Sequence, residues 1–262
     1  MSFQGGIFDV DGVLMNSPHY EAWRDALREL MDGEWAGIHD QTTYSPDGFT
    51  EDVYQEVLAG RPRLAGAQAA LEHFHVPDAG TRAQRYAAVK QDHMTRLITA
   101  GQFQPFDDAL RLVLDTKALG VRVAAASSSK NADMMMQRIR LDDFAARHNL
   151  TSPVIRPGLT LLDVLDADVS GRDLPRGKPD PLIFLTAASE LGAEPSGCFV
   201  VEDAESGVQA AKAGGMTALG IARLGDENLL LSAHADLVVS TLDAVSRPAL
   251  ADGRLERSAH QD

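Results

Sequence analysis

Hydrophobic positions along this chain follow two different rhythms. Between about residues 17 and 100 they recur at helical spacing. Trp23, Ala26, Leu27 and Leu30 form one stripe, and Val53, Val57 and Leu58 a second near Glu51–Leu58. Helical patterns return at about 65–74 and 81–99, the latter carrying Tyr86, Val89, Leu97 and Ile98. No strand pattern interrupts this block. Ser17 reads as a helix cap with Pro18 in the first helical position. Residues 32–50, rich in Gly, Asp, Thr and Pro, read as a loop. Gly60-Arg61-Pro62-Arg63 breaks the second helix, and Gly101 to Pro105 reads as a return linker.

Elsewhere short apolar runs alternate with helical stretches. Gly5–Phe8, Val121–Ala126, Phe199–Val201, Thr217–Ala222 and Leu237–Ser240 read as buried strands. Leu110–Leu119, a segment starting at Met134, a segment after Pro181 and Val208–Ala213 read as helices, three of them ended by glycine. Residues 148–176 carry little pattern, with a short strand expected over Leu161–Leu165. The polar tail after about Ser246 is expected to fray. The alternation predicts an α/β fold: a Rossmann-like parallel sheet with helices on both faces, built from residues 1–16 and 103–262. A helical unit, residues 17–102, interrupts it directly after the first strand.

Charge narrows the partners. Across 262 residues, 24 Lys and Arg face 38 Asp and Glu, a net charge of −14. That field repels nucleic acid and anionic membranes, so neither is expected as a partner. An anionic small molecule remains compatible where a local basic pocket overrides the global sign. The single cysteine, Cys198, lies in an apolar run and reads as an inert core thiol. No apolar run approaches the roughly 18 residues of a membrane span. The N-terminus lacks the basic-then-apolar pattern of a secretory signal, so a cytoplasmic location is expected.

The polar residues fall at strand ends. The first strand runs into Asp9-Val10-Asp11-Gly12, two carboxylates on one face of an extended segment followed by a glycine. By itself this pattern also describes an ordinary polar turn. Val121–Ala126 ends in Ser127-Ser128-Ser129-Lys130-Asn131, and Phe199–Val201 ends in Glu202-Asp203. Gly177-Lys178-Pro179 sits just before a helix. Taken singly, Ser127 is a helix cap and Lys178 a solvated lysine. In a parallel sheet, however, all these groups share one edge. Together they offer a nucleophile, carboxylates for a hard cation such as Mg²⁺, hydroxyl and amide donors and a cation, the parts phosphoryl transfer needs.

FDVDGVL, AAASSSKN, GKPDP and VEDAESG resemble, in order, the four signature motifs of the haloacid dehalogenase superfamily of phosphotransferases. The resemblance spans residues 7 to 208 and implies a Rossmann-like core with a helical cap inserted after the first motif. It implies that Asp9 is a nucleophile forming an aspartyl-phosphate. Asp11 would be the general acid/base, its backbone oxygen also facing Mg²⁺. Ser127 would hold phosphoryl oxygens, Lys178 would neutralise Asp9 and the phosphate, and Asp203 with Glu202 would complete the metal site. The second acid argues against the dehalogenase branch.

Further segments resemble the β-phosphoglucomutase-like subfamily. Ser127 to Asn131 is similar to its SASKN loop, which would give Ser128, Ser129, Lys130 and Asn131 substrate contacts. His19-Tyr20-Glu21-Ala22-Trp23 is similar to its HxxAW segment, where the His orients the proton donor and the Trp lines the cap; Trp23 also lies on a core stripe. Gly60 to Arg63 is similar to its GxSR loop, which would make Arg63 the anchor of the non-transferring phosphate, and Lys90 falls where a second cap lysine is expected. The resemblance implies a Mg²⁺-dependent mutase interconverting β-D-glucose 1-phosphate and glucose 6-phosphate, acting on a small sugar phosphate as a monomer or weak homo-oligomer. A sugar-phosphate phosphatase would share every core residue. Two departures stand out: extra residues around 33–50, and an apparent insertion at about 148–171.

Overall fold

A computed structural model describes residues 2–58 and 61–258. The chain forms two compact units, Met1–Ser17 with Gln104–Asp262, and Pro18–Phe103. Among its described residues the first holds eight strands: β1 (Gly5–Phe8), β2 (Met15–Asn16), β3 (Gln104–Pro105), β4 (Arg122–Ala125), β5 (Ala167–Asp168), β6 (Cys198–Glu202), β7 (Thr217–Ile221) and β8 (Leu237–Val239). Six of them form one parallel sheet in the order β5-β4-β1-β6-β7-β8. β1 lies in the interior because it is apolar on both faces. Ile7 shares a core with Val200 and with Phe184, Ala187 and Ala188. Phe8 turns to the opposite face and meets Phe199 edge-on at 6.0 Å. Burying side chains of this size contributes about 1.5–3 kcal/mol each. The chain crosses from β4 on one side of β1 to β6 on the other, which places a crevice at the strands' carboxyl ends beside β1.

The unit Pro18–Phe103 contains α1 (His19–Asp32), α2 (Glu51–Val53), which continues as a π turn over Tyr54–Leu58, α3 (Arg63–His73) and α4 (Ala79–Thr99). Among its described residues there is no strand. Its core is aromatic: Trp23 meets Tyr86 edge-on at 4.9 Å, and Phe49 stacks on Phe74 at 5.7 Å. Residues 32–50 are more ordered than their composition predicts. They form short 3₁₀ turns at Ala36–Gln41 and Pro46–Gly48, pinned by buried Trp35, Tyr44 and Phe49. Ser17 is not the cap of α1. Pro18 occupies that position, and the helix has no side-chain cap.

The remaining helices belong to the first unit: α5 (Asp107–Ala118), α6 (Ala132–Met136), α7 (Leu141–Arg147), α8 (Leu161–Val164), α9 (Leu182–Glu190), α10 (Glu205–Ala213), α11 (Glu227–Ser232) and α12 (Arg247–Ala251). The strand expected at Leu161–Leu165 is the helix α8. Thr160 accepts from the Asp163 amide while Asp163 accepts from the Thr160 amide, a reciprocal cap that starts a helix instead. The strand follows at β5, where Asp168 pairs with Ala125. The return linker also hides a strand: β3 pairs antiparallel with β2. The tail does not fray through Ser258. Ala249 and Leu250 are buried, and the Arg257 guanidinium donates to the Val238 carbonyl at 2.6 Å. No helix among the described residues is long and apolar enough to cross a membrane.

Candidate active site

The site starts where β1 runs out. The Asp9 amide still donates to Val201 O at 3.0 Å, so the sheet register carries this residue to the edge. The chain then turns tightly: the Leu14 and Met15 amides both donate to Val10 O, at 3.0 and 3.1 Å. Gly12 makes the turn possible with φ +83°, and its missing side chain matters as much. A Cβ there would fall on the Asp203 carboxylate. The turn after β1 and the end of β6 therefore close on each other at Gly12 and Asp203.

Lys178 is the electrostatic centre. Its Nζ donates to Asp9 Oδ1 at 2.5 Å and also to Glu202 Oε1. The Lys178–Pro179 peptide is cis. Glu202 is 1% exposed, and its second oxygen accepts from the Asp203 and Ala204 amides at 3.1 and 3.2 Å. Gly207 leaves the space this carboxylate occupies. Both Glu202 oxygens are therefore engaged, one by the lysine and one by the loop.

The carboxylates outnumber the lysine. Burial pushes the Asp9 carboxyl up to about 7 against the pull of Lys178, with Glu202 and Asp11 adding to the rise. Burial likewise holds Asp203 well above the ordinary carboxylate range, reinforced by Glu202 and Asp9. Burial alone would lower Lys178, yet the charges of Asp9 and Glu202 outweigh it and hold the ammonium above its usual value. No cluster of three or more His, Cys, Asp or Glu side chains forms a metal cage among the described residues. The donor set nevertheless suits Mg²⁺, which keeps several waters and uses one or two carboxylates. Asp9 and Asp203 are two crowded carboxylates, and the glycine cradle at position 12 admits one of them against the backbone.

Asp11 and Ser127 also meet. Ser127 is buried, and its Oγ lies 3.3 Å from Asp11 Oδ2 and 3.0 Å from the Ser129 amide. Ser17 donates to Asp11 Oδ1, a contact that reading Ser17 as a helix cap missed. A hydroxyl six residues after an acid, beyond a turn, was the available signal. Ser128 is exposed and Asn131 buried, with the Asn131 amide 3.4 Å from Ser129 Oγ. Lys130 pairs with Asp173 at 2.5 Å on an exposed surface.

In the helical unit, His19, Trp23 and Lys90 come together. Lys90 is 3% exposed, its Nζ lies 3.0 Å from His19 Nδ1, and it sits 5.2 Å from the centre of the Trp23 ring. Arg63 is the half-buried first residue of α3. Gly60 lies outside the described residues.

A parallel sheet with acids, a serine and a lysine at one edge defines a phosphoryl-transfer type of site. The profile of the haloacid dehalogenase-like hydrolases matches residues 5–215, and the chain belongs to that family. It is 29% identical over 240 residues to the β-phosphoglucomutase of Bacillus subtilis (strain 168), covering 89% of this chain and 87% of that protein. It is 28% identical over 251 residues to the validoxylamine A 7′-phosphate phosphatase of Streptomyces hygroscopicus subsp. limoneus, covering 94% and 97%. Among solved structures, the β-phosphoglucomutase of Pyrococcus sp. strain ST 04 matches with a TM-score of 0.65 and 26% identity, over 95% of this chain and 97% of that one. The fold is that of β-phosphoglucomutase-like members of the family.

Proposed function

We propose that this enzyme is a Mg²⁺-dependent β-phosphoglucomutase acting through a phospho-Asp9 intermediate. The observation that carries the reading is Lys178 bridging Asp9 and Glu202 at the same strand edge where Asp11 and Ser127 meet. Members of the family are generally Mg²⁺-dependent. In this reading the Asp9 and Asp203 carboxylates and the Asp11 backbone carbonyl hold the ion. When bound, it supplies positive charge for the phosphoryl oxygens. Glu202, with one oxygen on Lys178 and the other on two amides, positions Lys178 beside this group.

The cycle starts from phospho-Asp9. The 6-hydroxyl of β-glucose 1-phosphate attacks its phosphorus and passes its proton to Asp11, the phosphorus–oxygen bond to Asp9 breaks, and glucose 1,6-bisphosphate forms. In the second half Asp9 attacks the phosphorus at C1, the bond to the C1 oxygen breaks as Asp11 returns the proton to that oxygen, and glucose 6-phosphate leaves with phospho-Asp9 restored. Lys178 pulls Asp9 toward its ionised, nucleophilic form against the burial that raises its pKa, a bound cation would add to that pull, and Ser127 donates to the phosphoryl oxygens. Acceptor choice is assigned to the helical unit, through His19, Trp23, Arg63 and Lys90. Ser128, Ser129, Lys130 and Asn131 contact the sugar phosphate.

The second reading is sugar-phosphate hydrolysis, favoured by the phosphatase relative that aligns over 97% of its length. The two separate when β-glucose 1-phosphate is supplied with Mg²⁺ and a trace of glucose 1,6-bisphosphate, with glucose 6-phosphate and free phosphate followed independently. The mutase reading expects glucose 6-phosphate in large excess. Phosphate without isomer overturns it in favour of hydrolysis.

A further inference from the structure

The turn after Asp11 is gripped from outside the family's motifs. Arg223 follows β7, well beyond the fourth signature segment. Its Nε donates to Gly12 O at 2.8 Å and its Nη2 to Val13 O at 3.2 Å. The same guanidinium forks onto Asp108, at 3.0 and 3.3 Å, and lies 3.6 Å from the centre of the Phe106 ring. Asp108 is itself fixed by the Leu242 and Ala109 amides, both at 2.8 Å, and by Thr241 Oγ1 at 3.1 Å. The Phe106 amide in turn donates to Leu14 O at 3.0 Å.

These bonds join the end of β7, the end of β8, the start of α5 and the turn after β1. At the turn the grip is on backbone carbonyls, immediately after the residue assigned to proton transfer. A carbonyl pair held by a planar, stacked fork has little freedom to rotate. The peptide planes of Gly12 and Val13 are thereby set, and with them the direction in which the preceding residue projects its side chain.

We propose that Arg223 is a positioning residue for phosphoryl transfer, holding the Gly12–Val13 turn so that Asp11 meets the leaving and entering oxygens. Phe106 is its platform and Asp108 its counter-charge. The proposal rests on the proton-transfer role given to Asp11. It has a signature that plain structural support lacks. A misplaced acid harms steps whose leaving oxygen needs a proton and spares formation of phospho-Asp9 from an ester whose leaving group departs without one.

The experiment compares turnover of β-glucose 1-phosphate with the rate of the first-turnover nitrophenolate burst from p-nitrophenyl phosphate, for the wild-type protein, D11N and R223K. Lysine keeps the charge but cannot fork onto two carbonyls and a carboxylate. For R223K the expected result is a kcat loss on the sugar phosphate of about 100-fold, with KM changed less than about threefold. In the nitrophenolate burst the loss is expected to stay under about fivefold, because the phenolate leaves unprotonated. D11N should show the same split, larger. Equal losses on both substrates in R223K, or none, overturn the proposal while leaving Asp11's role intact if D11N still splits them. Without a split in D11N the role of Asp11 fails, and this proposal with it. Should R223K not fold, F106L decides, since it keeps the guanidinium and removes only its platform. A smaller split in the same direction supports the proposal, and unsplit kinetics overturn it.

Discussion

The two units solve the problem of burying charge in opposite ways. At the strand edge, Lys178 meets two carboxylates, and Asp203 adds a third buried acid. Negative charge is in excess there, so the edge is suited to a cation and a phosphoryl group. In the helical unit, Lys90 has a neutral ring face and an imidazole beside it and is as deeply buried as a core residue. The buried charged group there is a cation. In the proposed mechanism the first environment serves the nucleophile and the second a residue of ligand recognition. Each unit has its own core, so the two proposed roles can be perturbed separately.

The sharpest break of this contrast is at the nucleophile. D9N should lower turnover of any phosphate ester by about 10⁴-fold or more, measured as phosphate release and as loss of the acid-stable protein-bound phosphate expected of an acyl phosphate trapped at low pH. Neutralising the opposite sign at the same edge comes next. K178M should cost about 10²–10³ in kcat and, by leaving Asp9 and Glu202 uncompensated, about 3 kcal/mol of stability in urea titration.

Changes in the helical unit should act more selectively. K90M suits an aromatic pocket and should leave the melting temperature within a few degrees. It should lower glucose 1-phosphate isomerisation about 10- to 100-fold, the worth of one charged hydrogen bond, and affect nitrophenyl phosphate hydrolysis at least tenfold less. Equal effects on both substrates would erase the division of labour between the units. R63A should follow the same pattern.

The smallest effect is a pH dependence of stability without metal. Asp9 binds its proton more tightly in the folded chain, where its pKa is raised to about 7, than in the unfolded chain, where 3.8 applies. The folded state thus holds the extra proton between these values, and stability falls as pH rises through that window. In EDTA, melting between pH 4 and 8 should show wild type losing a few degrees relative to D9N. Saturating Mg²⁺ should reverse the trend by favouring the ionised carboxylates. A D9N profile parallel to wild type would contradict the raised pKa.

Legibility differed between the units for a physical reason. Asp9, Ser127, Glu202 and Asp203 sit at the ends of apolar runs, and a parallel sheet has one carboxyl edge, so locating the strands brought these residues to one edge. Lys178 came with them because Pro-Asp-Pro marks the start of the helix that follows it. In residues 148–176 the same approach failed, because a strand of only Ala167–Asp168 leaves no period to detect and Thr160 imposes a helix by side-chain capping. Ser17 looked like a cap because its neighbours have cap composition, and nothing local tells a hydroxyl whether its acceptor is an amide or a carboxylate.

What the sequence determined by itself is therefore the fold class, the insertion after the first strand, and the acids, serine and lysine of one sheet edge. These follow from local periodicity and from the geometry every parallel sheet shares. What only the tertiary structure decided is which groups hold which. Glu202 spends itself on Lys178 and two amides, Ser17 turns to Asp11, Lys90 sinks against Trp23, and Arg223 reaches back 211 positions to Gly12. Each is a choice among partners distant in sequence, settled by which buried polar group would otherwise go unpaired, and that depends on the whole packed fold.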